Sequence, residues 1–161
     1  MKIPILISIL ILMTCGMAMA AIDMSLDRDM VDFRTMEIGQ TSEISDQGVY
    51  HNQLTCSSTN NKTWYLKVNM VRPFTSGAYT IPNEYFEWKV VDVIDGRGIV
   101  TNGTNVPTPF RDNPSLVYTS DPLDNTGTEV KIRFRYILTI PKNQIAGSYF
   151  ASVRWTMTEL L

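Results

Sequence analysis

Toward its C-terminal end the chain alternates apolar and polar positions. Tyr149, Ala151, Val153, Trp155 and Met157 fall on one side; Phe150, Ser152, Arg154, Thr156 and Thr158 fall on the other. A period of two is the geometry of a half-buried strand. The same period predicts the longest strand over residues 129–140, with Val130, Ile132, Phe134, Tyr136, Leu138 and Ile140 inward and Lys131, Arg133 and Arg135 outward. It predicts another from Trp64 through Leu66, Val68 and Met70, with Pro73 closing it. In the stretch 85–93, Phe86, Trp88 and Val90 face one way and Tyr85, Glu87 and Lys89 the other. Val91 and Val93 then appear on the polar side, as a bulge or a segment covered on both faces would produce.

Shorter runs complete the pattern. Residues 30–36 alternate around Phe33 and stop at Gly39, residues 49–56 read as a strand, and Leu116–Tyr118 is a short apolar piece. Residues 94–124 are otherwise rich in Gly, Pro, Asn and Thr and read as long connections. Pro141–Gly147 is expected to turn the chain into the final strand as a terminal hairpin. No segment carries a helical period. About seven strands without βαβ alternation predict an all-β fold, an immunoglobulin-like antiparallel β-sandwich, with a closed barrel as the alternative.

The N-terminus adds a compartment. Lys2, the apolar run Ile3–Met13 and the small residues Ala18-Met19-Ala20 form an export signal with cleavage expected after Ala20. The apolar run is too short for the ~20 residues that span a bilayer. Residues 21–161 then form one domain, with no transmembrane segment after signal cleavage. Leu12-Met13-Thr14-Cys15 has the outline of a lipobox, which makes lipidation of Cys15 the alternative. Of 14 Lys and Arg and 16 Asp and Glu residues, only Lys2 lies in the leader, so the mature chain carries 13 basic against 16 acidic groups. That balance gives no reason to expect nucleic acid as a partner. Cys56 is the one cysteine left after cleavage, so no internal disulfide can form, and a small buried residue is the expected role.

Chemistry is sparse. His51 is the only histidine, so a zinc site or a Cys-His pair lacks ligands. There is no Gly-x-Ser-x-Gly elbow. Asp92, Asp95, Asp112, Asp121 and Asp124 lie in or near the loop-rich region and would serve a hydrolase or calcium only if loops brought them together; turn-shaping is the simpler role. No cofactor, no metal and no enzymatic activity are expected. Asn61-Lys62-Thr63 and Asn102-Gly103-Thr104 match glycosylation sequons. Lys131, Arg133 and Arg135 form a row that would present positive charge to an anionic surface polymer, or else interleave with acids on neighbouring strands. Trp64, Trp88 and Trp155 sit on apolar faces and read as core anchors.

Trp64-Tyr65-Leu66, together with Ala146-Gly147-Ser148-Tyr149 leading into Trp155-Thr156-Met157, resembles the paired Trp-x-Leu signatures of WxL-type bacterial surface domains, with Met157 in the second Leu position. The same entry into the final strand is similar to the ends of fimbrial and spore-coat-U-like secreted sandwiches. The first resemblance implies non-catalytic association with cell-wall polymer or with other surface proteins, with Trp64, Leu66, Trp155 and Met157 as motif positions; the export signal by itself leaves the cell surface, the periplasm and the exterior as destinations. The second implies a pilin-like assembly subunit. There, self-association would run through residues 21–30, whose Ile22, Met24 and Leu26 alternate correctly to complete a neighbour's sheet. Those residues serve equally as this domain's own first strand.

Overall fold

The computed structural model describes residues 21–43, 52–104 and 106–161. The leader, Cys15 and the stretch Val49–His51 lie outside them. Among the described residues eleven strands follow one another: β1 Ile22–Leu26, β2 Thr41–Ser42, β3 Asn52–Ser58, β4 Tyr65–Ser76, β5 Tyr79–Ile81, β6 Phe86–Ile94, β7 Ile99–Val100, β8 Thr108–Pro109, β9 Ser115–Thr119, β10 Val130–Thr139 and β11 Phe150–Thr158. Two short 3₁₀ turns, Asn83–Tyr85 and Pro122–Asn125, punctuate them. Seven strands have five residues or more.

Two antiparallel sheets pack face to face as a β-sandwich. The first runs β1-β3-β10-β6-β8, with β2 also on β10; the second runs β11-β4-β9-β7, with β5 on β4. The core lies between them, and the alternation in sequence explains why. Leu54 and Cys56 of β3, Leu66, Val68 and Met70 of β4, Trp88 and Val90 of β6, and Val130, Ile132 and Phe134 of β10 are all buried, while their sequence neighbours face outward. Aromatic rings fill one end: Phe33 meets Phe74 and Phe86 edge-on, and Phe86 stacks on Phe110 with centroids 4.4 Å apart.

Of the two arrangements expected in β6, a bulge or a segment covered on both faces, the register shows the bulge. Arg133 pairs with Asp92 and Phe134 with Val90, so Val91 is the extra residue and Val93 returns to the inner face.

Three expectations fail. The first is the strand over residues 30–36: Phe33 is buried, but the Asp32 side chain accepts the Arg34 N–H at 2.7 Å, and Arg34 takes a φ of 57°. A local Asx turn replaces the ladder, and a single buried ring anchors the loop. The second is the end of β4. It runs through Pro73 to Ser76, because the proline, which has no N–H to donate, falls where the β4/β11 register shifts, between Phe150 and Ser152. The third is the terminal hairpin. β10 is paired along one edge by β3 and β2 and along the other by β6, so residues 140–149 carry the chain across to the second sheet, where β11 pairs with β4.

Candidate functional site

The cationic row is built on β10 and faces solvent. Arg133 lies directly opposite Asp92 on β6, with NH1 3.6 Å from its carboxylate, and its Nε donates to Gln53 Oε1 at 3.0 Å. Arg135 stands opposite another cation, Lys89, and Glu43 resolves the repulsion, 3.2 Å from Arg135 and 2.6 Å from Lys89. Lys89 is the first cause holding the Glu43 carboxyl below its usual value, and Arg135 adds to it. Lys131 reaches Glu129 at 4.0 Å. Each cation thus has a carboxylate beside it, and the face interleaves both signs.

The motif positions converge. Leu66 of β4 lies directly opposite Met157 of β11, and Val68 opposite Trp155, so the two Trp-x-Leu-like stretches occupy adjacent antiparallel strands. Trp64, Leu66 and Trp88 are fully buried, whereas Trp155 and Met157 are partly covered. Trp155 sits 4.3 Å from Phe134 and 6.4 Å from Trp88, centroid to centroid, and so joins the sheets from the rim.

That rim is the most distinctive surface. β1 pairs only with β3 and β11 only with β4 among the described strands, so both are edges, and they flank the same side of the sandwich. Between them runs an open groove of about 450 Å³, lined by Met24, Leu26, Leu54, Val71, Val153 and Trp155, with Ser25, Ser152 and Arg154 at its margin. Ile22, Met24 and Leu26 pair with Ser58, Cys56 and Leu54 and share their inward direction, yet Leu26 remains 38% exposed. Val71, the extra residue where the β4/β11 register shifts, is 51% exposed. The inner face of the sandwich is therefore incompletely covered here.

The loop carboxylates do structural work. Asp124, buried, accepts the backbone N–H of Arg97 through Oδ1 at 3.0 Å; Oδ2 accepts those of Gly98 and Asp121 at 3.0 Å each and the Tyr118 hydroxyl at 2.6 Å. Burial, first, and Asp124, second, push the Tyr118 phenol well above its usual value. Asp121 caps the Pro122–Asn125 turn, Asp92 meets Arg133, and Asp112 accepts from Asn83. Among the described residues no three His, Cys, Asp or Glu side chains are grouped to hold a metal. Cys56 is fully buried, and desolvation pushes its thiol up to about 12. Sequence reasoning missed the Asp124 knot, whose only signal is the capping pattern Asp121-Pro122-Leu123-Asp124 beside the close-packed Gly96 and Gly98.

No family model, no curated protein and no solved structure matches this chain.

Proposed function

We propose that this is a non-catalytic, exported protein of the cell envelope that acts by binding other surface proteins, using the groove between β1 and β11. The observation that carries the reading is the pair of unpaired edges flanking an apolar slot. An extended segment adding along either edge gains main-chain hydrogen bonds, and its alternate side chains enter the slot. Arg154, exposed at the margin, favours a segment that is apolar at every second position and carries a carboxylate between. The carboxylate beside each cation of the Lys131, Arg133 and Arg135 row weighs against the polymer-binding alternative.

The test places a photo-crosslinking residue at Ser152 or Arg154, and separately at Lys131, in the protein produced by its own cells. The reading expects crosslinks from β11 to an extended segment of an envelope protein, abolished by Leu26→Asp. It is overturned if envelope retention survives Leu26→Asp and disappears when Lys131, Arg133 and Arg135 are all changed to Glu.

A second reading is an assembly subunit, in which Ile22–Leu26 of one copy serves the groove of another. The segment has the required alternation and carries Asp23 between its apolar residues. Against it stands the complete register of β1 with β3 in its own chain. Concentration-dependent polymers in sedimentation velocity that vanish on deleting residues 21–30 support this second reading; a wild-type monomer at all concentrations removes it.

A further inference from the structure

The chain contains a single Asn-Gly pair, Asn102-Gly103, and it stands where the backbone crosses between the sheets. Upstream, β7 is zipped to β9: Ile99 pairs with Thr119, Val100 with Tyr118, and the Thr101 N–H donates to the Val117 carbonyl at 2.9 Å. Asn102 extends this ladder by one side chain, its Nδ2 donating to the Leu116 carbonyl at 2.8 Å. The next residue belongs to the other sheet, for the Gly103 carbonyl accepts the Val90 N–H at 2.7 Å. Gly103 has a φ of +78° and lies so close to the Trp88 ring that a Cβ would stand 2.5 Å from Cζ3. Only glycine suits that place. Two adjacent residues thus clip β9 to β6 and cover one side of a fully buried tryptophan.

The same pair is the dipeptide most disposed to succinimide chemistry, because glycine leaves its own nitrogen unshielded. We infer that Asn102 is a deamidation site gated by opening of this clip, and that its reaction makes the opening permanent. The Gly103 nitrogen gives up its proton and attacks Cγ of Asn102, a C–N bond forms, the Cγ–Nδ2 bond breaks, and the amide nitrogen takes up a proton and leaves as ammonia. Water then opens the ring to give aspartate or isoaspartate at position 102. Asn102 is exposed, so water enters and ammonia leaves freely. In the closed clip the side chain is tied to Leu116 and Gly103 is tied to Val90, and ring closure requires the side chain to swing off its partner. The reaction therefore draws on the open population alone.

The product cannot restore the clip. A carboxylate has no proton to donate to the Leu116 carbonyl and repels it, and isoaspartate also lengthens the backbone next to Gly103. The loop is left away from Trp88. An exported protein that persists for long periods accumulates this change as a function of time spent open.

The experiment incubates the purified, unaltered protein in mildly alkaline buffer, with and without denaturing urea, and follows position 102 by peptide mapping. Conversion in the folded protein is expected to be at least about ten-fold slower than in urea. Asn102→Asp, which mimics the product, is expected to lower the urea midpoint and to make tryptophan fluorescence more accessible to acrylamide. Equal rates with and without urea overturn the gating. Absence of conversion in urea overturns the site. An Asn102→Asp protein with an unchanged midpoint and unchanged quenching overturns the permanent opening. Because the rate comparison uses the unaltered chain, it decides the gating even if the variant does not fold.

Discussion

The two sides of the sandwich are joined by different means. On the β1/β11 side, contact between the sheets is apolar: Trp155 packs on Phe134 and Trp88, and Met24, Leu26, Leu54 and Val153 meet around a groove that stays open. On the side of β7 and β9, hydrogen bonds do the joining: the buried Asp124 carboxylate gathers three backbone N–H groups and the Tyr118 hydroxyl, and Asn102 and Gly103 clip β9 to β6. Apolar contacts are non-directional, so a surface made of them tolerates an incomplete cover and can accept a partner. Buried polar groups have no such tolerance, because each one left unpaired costs its full desolvation. The first side suits recognition and the second suits rigidity.

Substitutions should expose that asymmetry. The largest effect is expected from Trp88→Ala, which empties the fully buried centre between Trp155 and the Gly103 clip, about 4 kcal/mol of stability by urea denaturation, whereas Trp155→Ala, partly exposed at the groove, should cost about 2 kcal/mol. A reversed order would mean that the groove rim, not the buried centre, holds the sheets together. Next comes Asp124→Ala, which strands four donors and should cost about 3 kcal/mol; a loss below about 1 kcal/mol would show that water replaces the carboxylate and that the knot is dispensable.

At the groove, Leu26→Ser is expected to cost under about 1 kcal/mol, since the residue is already part-exposed, while weakening partner crosslinking strongly. A stability loss as large as that of Asp124→Ala would make the groove a core and not a docking surface.

The smallest effects concern titration. The Glu43 carboxyl is held below its ordinary value of 4.5, so the folded state releases its proton more readily than the unfolded state. Its contribution is present above pH 4.5 and lost as pH falls through the lower folded value. Glu43→Gln should flatten that limb slightly, given its exposure to solvent screening. Cys56 behaves oppositely. With its thiol raised from 9.0 to about 12, its contribution is full below pH 9 and is lost as pH rises toward 12, and Cys56→Ala should flatten the alkaline limb. Reaction of native Cys56 with a thiol reagent as fast as in urea would contradict its burial.

Much of the fold was legible because burial and pleat share one period. The inward residues of β4, β6 and β10 were readable one by one, and the out-of-phase Val91 and Val93 announced the bulge. Failures arose where a partner, not a pattern, decides. Residues 30–36 alternate as well as a strand does, yet among the described residues no neighbouring strand supplies a ladder, and Asp32 turns the backbone. β10 and β11 are consecutive and strongly patterned, yet the edges of β10 were already taken. The row on β10 was readable as three cations, but not which carboxylates meet Arg133 and Arg135, because Asp92 and Glu43 come from sequence-distant segments. Of the apolar groove only the parts were legible: Met24 and Leu26 alternate as strand positions and Val153 and Trp155 read as inward, but nothing local shows that they line one open slot.

By itself the sequence determined the class of this protein: alternation along the chain fixes which residues turn inward, and the pleat converts that directly into two-sided strands. Only the tertiary structure decided which strands became edges, which carboxylates met which cations, and where the inner face was left uncovered. Those outcomes depend on long-range pairing, which is a property of the assembled sheets and is encoded in no local segment.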